Sequence, residues 1–162
     1  MINSKLPDVG VTIFTVMSRL ATETRAINLG QGFPDFDPDA GLLAQVDAAM
    51  AAGHNQYAPM PGIPALRTAI AAKTRALYGT AYDPETEITV TSGATQALMT
   101  AILAVAGAGD EVIALEPNYD SYVPAIRLAG AAPVAVQLLA PTPEAPGYRP
   151  DWDAIRRAIT PR

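Results

Sequence analysis

The apolar positions along the chain follow two rhythms. Over residues 11–26, Ile13, Met17 and Leu20 recur at helical spacing and Ala21 continues the stripe, which predicts a short helix. Over 39–52, Leu42, Leu43, Val46 and Met50 share one face of a second helix, and Gly53 is placed to stop it. Pro64 opens a third helix, in a first turn where the missing proline N–H is not needed. Leu66, Ile70, Lys73 and Leu77 lie along that helix to about Tyr78, and Gly79 ends it. From residue 87 the rhythm changes. EITVT (87–91) alternates as a strand does, and 92–107 is a loop turning into a helix. EVIAL (111–115) is nearly continuous apolar sequence, as in a buried parallel strand. A helix is predicted over 119–130 ending at Gly130, then a strand over 132–138, and a last helix over 151–159 with Asp151 as its N-cap.

Residues 87–138 therefore read β-α-β-α-β. Such units form right-handed parallel sheets with helices on the faces, so a three-layer αβα fold with a mostly parallel sheet is expected. The stretches 27–39, 54–63 and 139–151 are rich in Gly, Pro and Asp and read as loops. The sequence stops after a helix, where this alternation calls for another strand. A sheet ending there leaves an edge unpaired, so the fold is expected to be truncated.

Composition narrows the chemistry. The 162 residues are 49% hydrophobic and 17% charged, which suits a packed core and not a disordered chain. With no cysteine, a disulfide scaffold, a thiolate nucleophile and a Cys-based metal site are excluded. The single histidine, His54, sits at a helix end and reads as a capping or surface residue. Asp35, Asp37 and Asp39 lack the glycine and distal glutamate of a calcium loop, so no metal site is expected. A net charge of −5 argues against a nucleic-acid surface. No apolar run reaches membrane-spanning length, and MINSKLPDVG does not read as a secretory signal; the cytoplasm is the expected compartment. There are only two lysines, Lys5 and Lys73.

Four segments carry candidate chemistry. Ser92-Gly93-Ala94-Thr95-Gln96 stands at a strand-to-helix junction, where small residues allow close approach and a helix start favours an anion. It is neither a Walker loop nor a dinucleotide fingerprint, and a plain N-cap with a tight turn is the alternative. Glu116–Tyr122 follows the strand at 111–115, and ligands of open α/β sheets bind beyond the carboxyl ends of strands. Tyr119 there could stack on a flat ring or be a core residue. Tyr57, in the rigid loop 55–62, could offer its hydroxyl to a phosphate or a partner, or simply belong to a structured turn. Gly30 and Gly32, in LGQGFPDF (29–36), could bring a backbone N–H to a carboxylate, or serve only a turn.

Together, INLGQGFPDF, NQYAPMPG followed by ALR, ITVTSGATQAL and GDEVIALEPNYDSYVPAI resemble the fold type I pyridoxal-phosphate (PLP) aminotransferases of class I/II, in order and spacing, over nearly the whole chain. They look most like the methionine, kynurenine and glutamine transaminase branch. The resemblance implies an α/β PLP-binding large domain beginning at 41–162, preceded at 1–40 by a helix and arm of the small domain. It implies that Gly93, Ala94 and Thr95 hold the cofactor phosphate and that Tyr119 stacks on the pyridine ring. It further implies that Tyr57 reaches the cofactor phosphate of a neighbouring subunit in a homodimer. By the same resemblance Gly32 meets the substrate α-carboxylate through its N–H, and Phe14 lines the side-chain pocket. The implied reaction moves an amino group from an L-amino acid (methionine, glutamine or aromatic) to a 2-oxo acid. In family order the Schiff-base lysine lies downstream of residue 162, so no catalytic residue is expected in this chain and the chain alone should be inactive. Neither Lys5, in the N-terminal tail, nor Lys73, upstream of the cofactor turn, matches that lysine. The competing readings are a non-catalytic remnant or binding module, and a PLP-dependent carbon–sulfur lyase.

Overall fold

A computed structural model describes residues 3–32 and 34–162. The elements are α1 (Ile13–Thr24), α2 (Ala40–Ala51), α3 (Pro64–Tyr78), α4 (Gly93–Val105), β1 (Glu111–Glu116), α5 (Tyr122–Leu128), β2 (Ala132–Gln137) and α6 (Trp152–Ala158). They form two compact units. One joins Met1–Thr15 to Ser92–Arg162, and the other is Val16–Thr91.

The first unit holds the sheet. β1 and β2 pair in parallel, with Glu111 opposite Ala132 and Glu116 opposite Gln137. Parallel neighbours need a crossover between them, and α5 provides it. α5 packs against α4 and on both strands. Ala114, Ile126 and Ala131 form the buried centre, with Ile102, Ala106 and Val112 packed around it. α6 lies against β2. Its N-cap is Asp151, whose Oδ1 accepts from Ala154 N at 2.9 Å.

The second unit is helical, and its termini show why the helices begin and end where they do. Asp39 Oδ1 accepts from Gly41 N and Leu42 N at 2.9 and 3.2 Å and so satisfies two donors at the start of α2. Pro64 is the first residue of α3, and Gly79 ends it in the left-handed region at φ +72°.

Two expectations are corrected. The segment 87–91 is not a strand. Alternating β-branched residues favour extended backbone, but a strand exists only where a neighbour completes the ladder. Here Val90 N donates instead to Pro61 O, at 2.9 Å. α5 begins at Tyr122, three residues later than the sequence suggests, because Tyr119–Tyr122 closes a turn through Tyr122 N and Tyr119 O at 3.1 Å. The apolar face of α2 forms as the sequence places it, and its Leu42, Leu43, Val46 and Met50 are all about half exposed, at 49–59%. Periodicity says which face seeks cover, not what covers it.

Candidate functional site

The site in the first unit forms where α4 begins and β1 has ended. Ser92 is the N-cap of α4, and Gly93 takes φ +79°, which turns the chain sharply into the helix. Ser92 N donates to Gln96 Oε1, and the Ser92 hydroxyl makes no capping bond. Nothing lies within 4 Å of the place where a Gly93 Cβ would stand, so the turn faces open space.

Tyr119 comes from the loop beyond β1. Its hydroxyl lies 3.4 Å from Thr95 Oγ1. Its ring meets Tyr122 edge-on, with centroids 5.9 Å apart and planes at 80°. Held at its tip by Thr95 and against Tyr122, Tyr119 is still 42% exposed. Beside it, Asn118 Nδ2 and Ser121 Oγ are buried and have no hydrogen-bond partner among the described residues. Orphaned donors of this kind cost about 1–3 kcal/mol each, so a polar group is called for there. The structure thus brings Thr95 and Tyr119 together. Gly93 and Ala94 open the same helix.

Tyr57 and Gly32 belong to the second unit. Tyr57 is fully exposed. Gly32 has no atom within 4 Å of a would-be Cβ, so a ligand can approach its backbone. The loop before it is tied to α1. Asn28 Nδ2 donates to Ser18 Oγ (3.1 Å), Ser18 Oγ donates to Gln31 Oε1 (3.4 Å), and Asn28 Oδ1 accepts from Gly30 N (3.0 Å). Phe33 of the same motif lies outside the described residues. Phe14 is half-buried in the first turn of α1. Lys5 and Lys73 are both exposed, and Lys73 sits on α3.

Sequence reasoning missed Arg67, which is 95% removed from solvent. Its Nε donates to Gly62 O at 3.2 Å, Nη1 to Pro84 O and Glu85 O, and Nη2 meets the Glu85 carboxylate at 3.4 Å. A signal was present: an arginine at the apolar spacing of Ile63 and Ile70 must find buried acceptors. Asp83 anchors the same loop. Its carboxyl is held below the ordinary range by the Glu85 N–H and then by the Thr86 hydroxyl, with the Arg67 charge adding to them.

A parallel α/β sheet with a glycine turn at a helix start and an aromatic ring beyond the neighbouring strand defines an open α/β fold with a site at its carboxyl edge. The chain belongs to the aminotransferase class I and II family, whose pattern matches residues 24–162. It is 51% identical over 159 residues to the methionine aminotransferase of Escherichia coli, covering 98% of this chain and 40% of that protein. It is 49% identical to the probable N-succinyldiaminopimelate aminotransferase DapC of Mycobacterium tuberculosis, covering 98% and 39%. Among solved structures, Escherichia coli YbdL, identified as having a methionine aminotransferase function, superposes with a TM-score of 0.90 at 49% identity, over 99% of this chain and 41% of that one. The chain thus spans about two-fifths of the length of the relatives it matches.

Enzymes of this family depend on PLP, an aromatic ring bearing a phosphate. The residues present fit such a group. A helix start with small residues and the Thr95 hydroxyl suits the phosphate, and the open part of the Tyr119 ring suits the pyridine.

Proposed function

We propose that this chain is the N-terminal part of a PLP-dependent aminotransferase, and that it builds the cofactor's cradle but not its covalent anchor. The observation that carries the reading is the Thr95–Tyr119 pair, which sets a phosphate-type turn and an open aromatic ring side by side. When bound, PLP supplies the electron sink that makes the substrate α-carbon acidic. Gly93, Ala94 and Thr95 hold its phosphate with backbone and hydroxyl donors, and Tyr119 stacks on the ring. The Gly32 N–H holds the substrate α-carboxylate. Phe14 lines the side-chain pocket, which suits methionine, glutamine or an aromatic amino acid as donor to a 2-oxo acid.

The enzyme acts as a homodimer in this reading, with Tyr57 reaching the cofactor phosphate of the neighbouring subunit. The exposed Tyr57 and the bare apolar face of α2 support it. The division into a small-domain segment over 1–40 and the start of the PLP-binding domain over 41–162 belongs to the same proposal, as does a cytoplasmic location.

The test is an assay of the whole gene product with PLP, methionine and a 2-oxo acid acceptor. Amino transfer that requires the acceptor is expected. Product formed without the acceptor beyond one equivalent per cofactor would reject transamination in favour of lyase chemistry. Borohydride reduction of the holoenzyme should label a lysine other than Lys5 and Lys73, and a label on either would overturn the cradle-without-anchor reading.

A further inference from the structure

Tyr57 is fully exposed, so packing among the described residues does not hold its ring in place. The direction in which it is presented is set by its backbone alone. That backbone is pinned on both sides. On the near side, Asn55 Nδ2 donates to Met50 O at 2.9 Å and His54 N donates to Ala49 O at 3.1 Å, which fastens the loop to the end of α2. On the far side, Gly62 O accepts from Arg67 Nε, and Pro61 O accepts from Val90 N. Gly62 sits at φ +99°, and a Cβ there would stand 2.5 Å from Val90 Cγ2, so the loop is pressed directly on Val90.

Arg67 is the centre of this arrangement. One guanidinium fork joins the Tyr57 loop, through Gly62 O, to the 84–85 turn, through two carbonyls and the Glu85 carboxylate. Burying a guanidinium costs free energy unless its donors are met, and here the acceptors are mostly backbone carbonyls, so the charge serves to fix main chain. Val90 in turn lies three residues before Gly93. A separate bond, from Val90 N to Pro61 O, ties the same loop to that residue.

We propose that Arg67 is the positioning residue of Tyr57: by clamping Gly62 it sets where the Tyr57 hydroxyl is presented to the neighbouring subunit's cofactor phosphate. This rests on the dimer reading of Tyr57 above. Arg67 touches neither substrate nor cofactor and acts only through the loop.

The test is a double-mutant cycle on cofactor release from the holoenzyme dimer, followed by trapping freed PLP, with Tyr57→Phe, Arg67→Met and the pair. Each single change should speed release about tenfold, the effect of one lost charge-assisted hydrogen bond. The pair should be no faster than Tyr57→Phe alone, because Arg67 has no route to the phosphate except Tyr57. Arg67→Lys, which keeps the charge but not the fork, should fall between wild type and Arg67→Met. It also stands in for Arg67→Met in the cycle if the latter fails to fold. Additive effects in the cycle would overturn the proposal, since Arg67 would then act elsewhere. So would unchanged release in the Arg67 variant beside faster release in Tyr57→Phe. Unchanged release in Tyr57→Phe would instead sink the dimer reading of Tyr57, and this inference with it.

Discussion

The Tyr119 hydroxyl stands 3.4 Å from Thr95 Oγ1, across 24 residues of sequence. One residue comes from the loop after β1 and the other from the first turn of α4, so their meeting depends on how α4, β1 and α5 pack. Tyr119→Ala should weaken PLP binding by about 1 kcal/mol or more, from lost stacking. Tyr119→Phe should cost less, since it keeps the ring and loses only a long hydroxyl contact. Titration of the apoenzyme with PLP by absorbance measures both. Equal losses in the two variants would contradict stacking as the main contribution.

Gly62 is required by geometry. Its φ of +99° is unfavourable for any side chain, and its Cβ position lies against Val90. Gly62→Ala should destabilise the fold by about 2 kcal/mol or more, the sum of backbone strain and overlap. Urea unfolding of the variant checks this, and an unshifted midpoint would count against the clamp geometry.

Asp39 caps α2 through two backbone donors. Removing it in Asp39→Ala should cost about 1 kcal/mol, while Asp39→Asn should keep most of the stability. Thermal unfolding distinguishes the two, and similar losses in both would point to the charge rather than to the cap.

Asp83 gives a pH dependence with a definite sign. Its carboxyl is held below the ordinary value of 3.8, chiefly by the Glu85 N–H. A group whose pKa is lowered on folding stabilises the fold above its unfolded value and loses that contribution as pH falls through the folded one. The stability gap between wild type and Asp83→Asn should therefore be present at about pH 6 and shrink toward about pH 3. Urea midpoints across that range measure it. A gap that does not change with pH would show that Asp83 acts by shape alone.

Much of the fold was legible from local chemistry. Pro64 and Gly79 bracket α3, and Asp151 caps α6, where the sequence places them. β1 and β2 match their apolar runs to within a residue. These signals are local, because a cap or a strand's apolar run is written in adjacent residues. The glycine turn at 93 and the aromatic loop at 119 could be read as site candidates for the same reason.

What the sequence by itself determined is this set of local elements, and the motifs that place the chain in its family. The tertiary structure decided what pairs with what. It left 87–91 unladdered, although its alternation is strand-like, because a ladder needs a neighbour that local pattern cannot name. It turned Arg67 from one arginine on a helix into a buried clamp, because its acceptors lie as far as 18 residues away. It also set Thr95 beside Tyr119. Backbone preference reaches only a few residues along the chain; ladder pairing, buried charge and a shared site depend on partners brought together by packing.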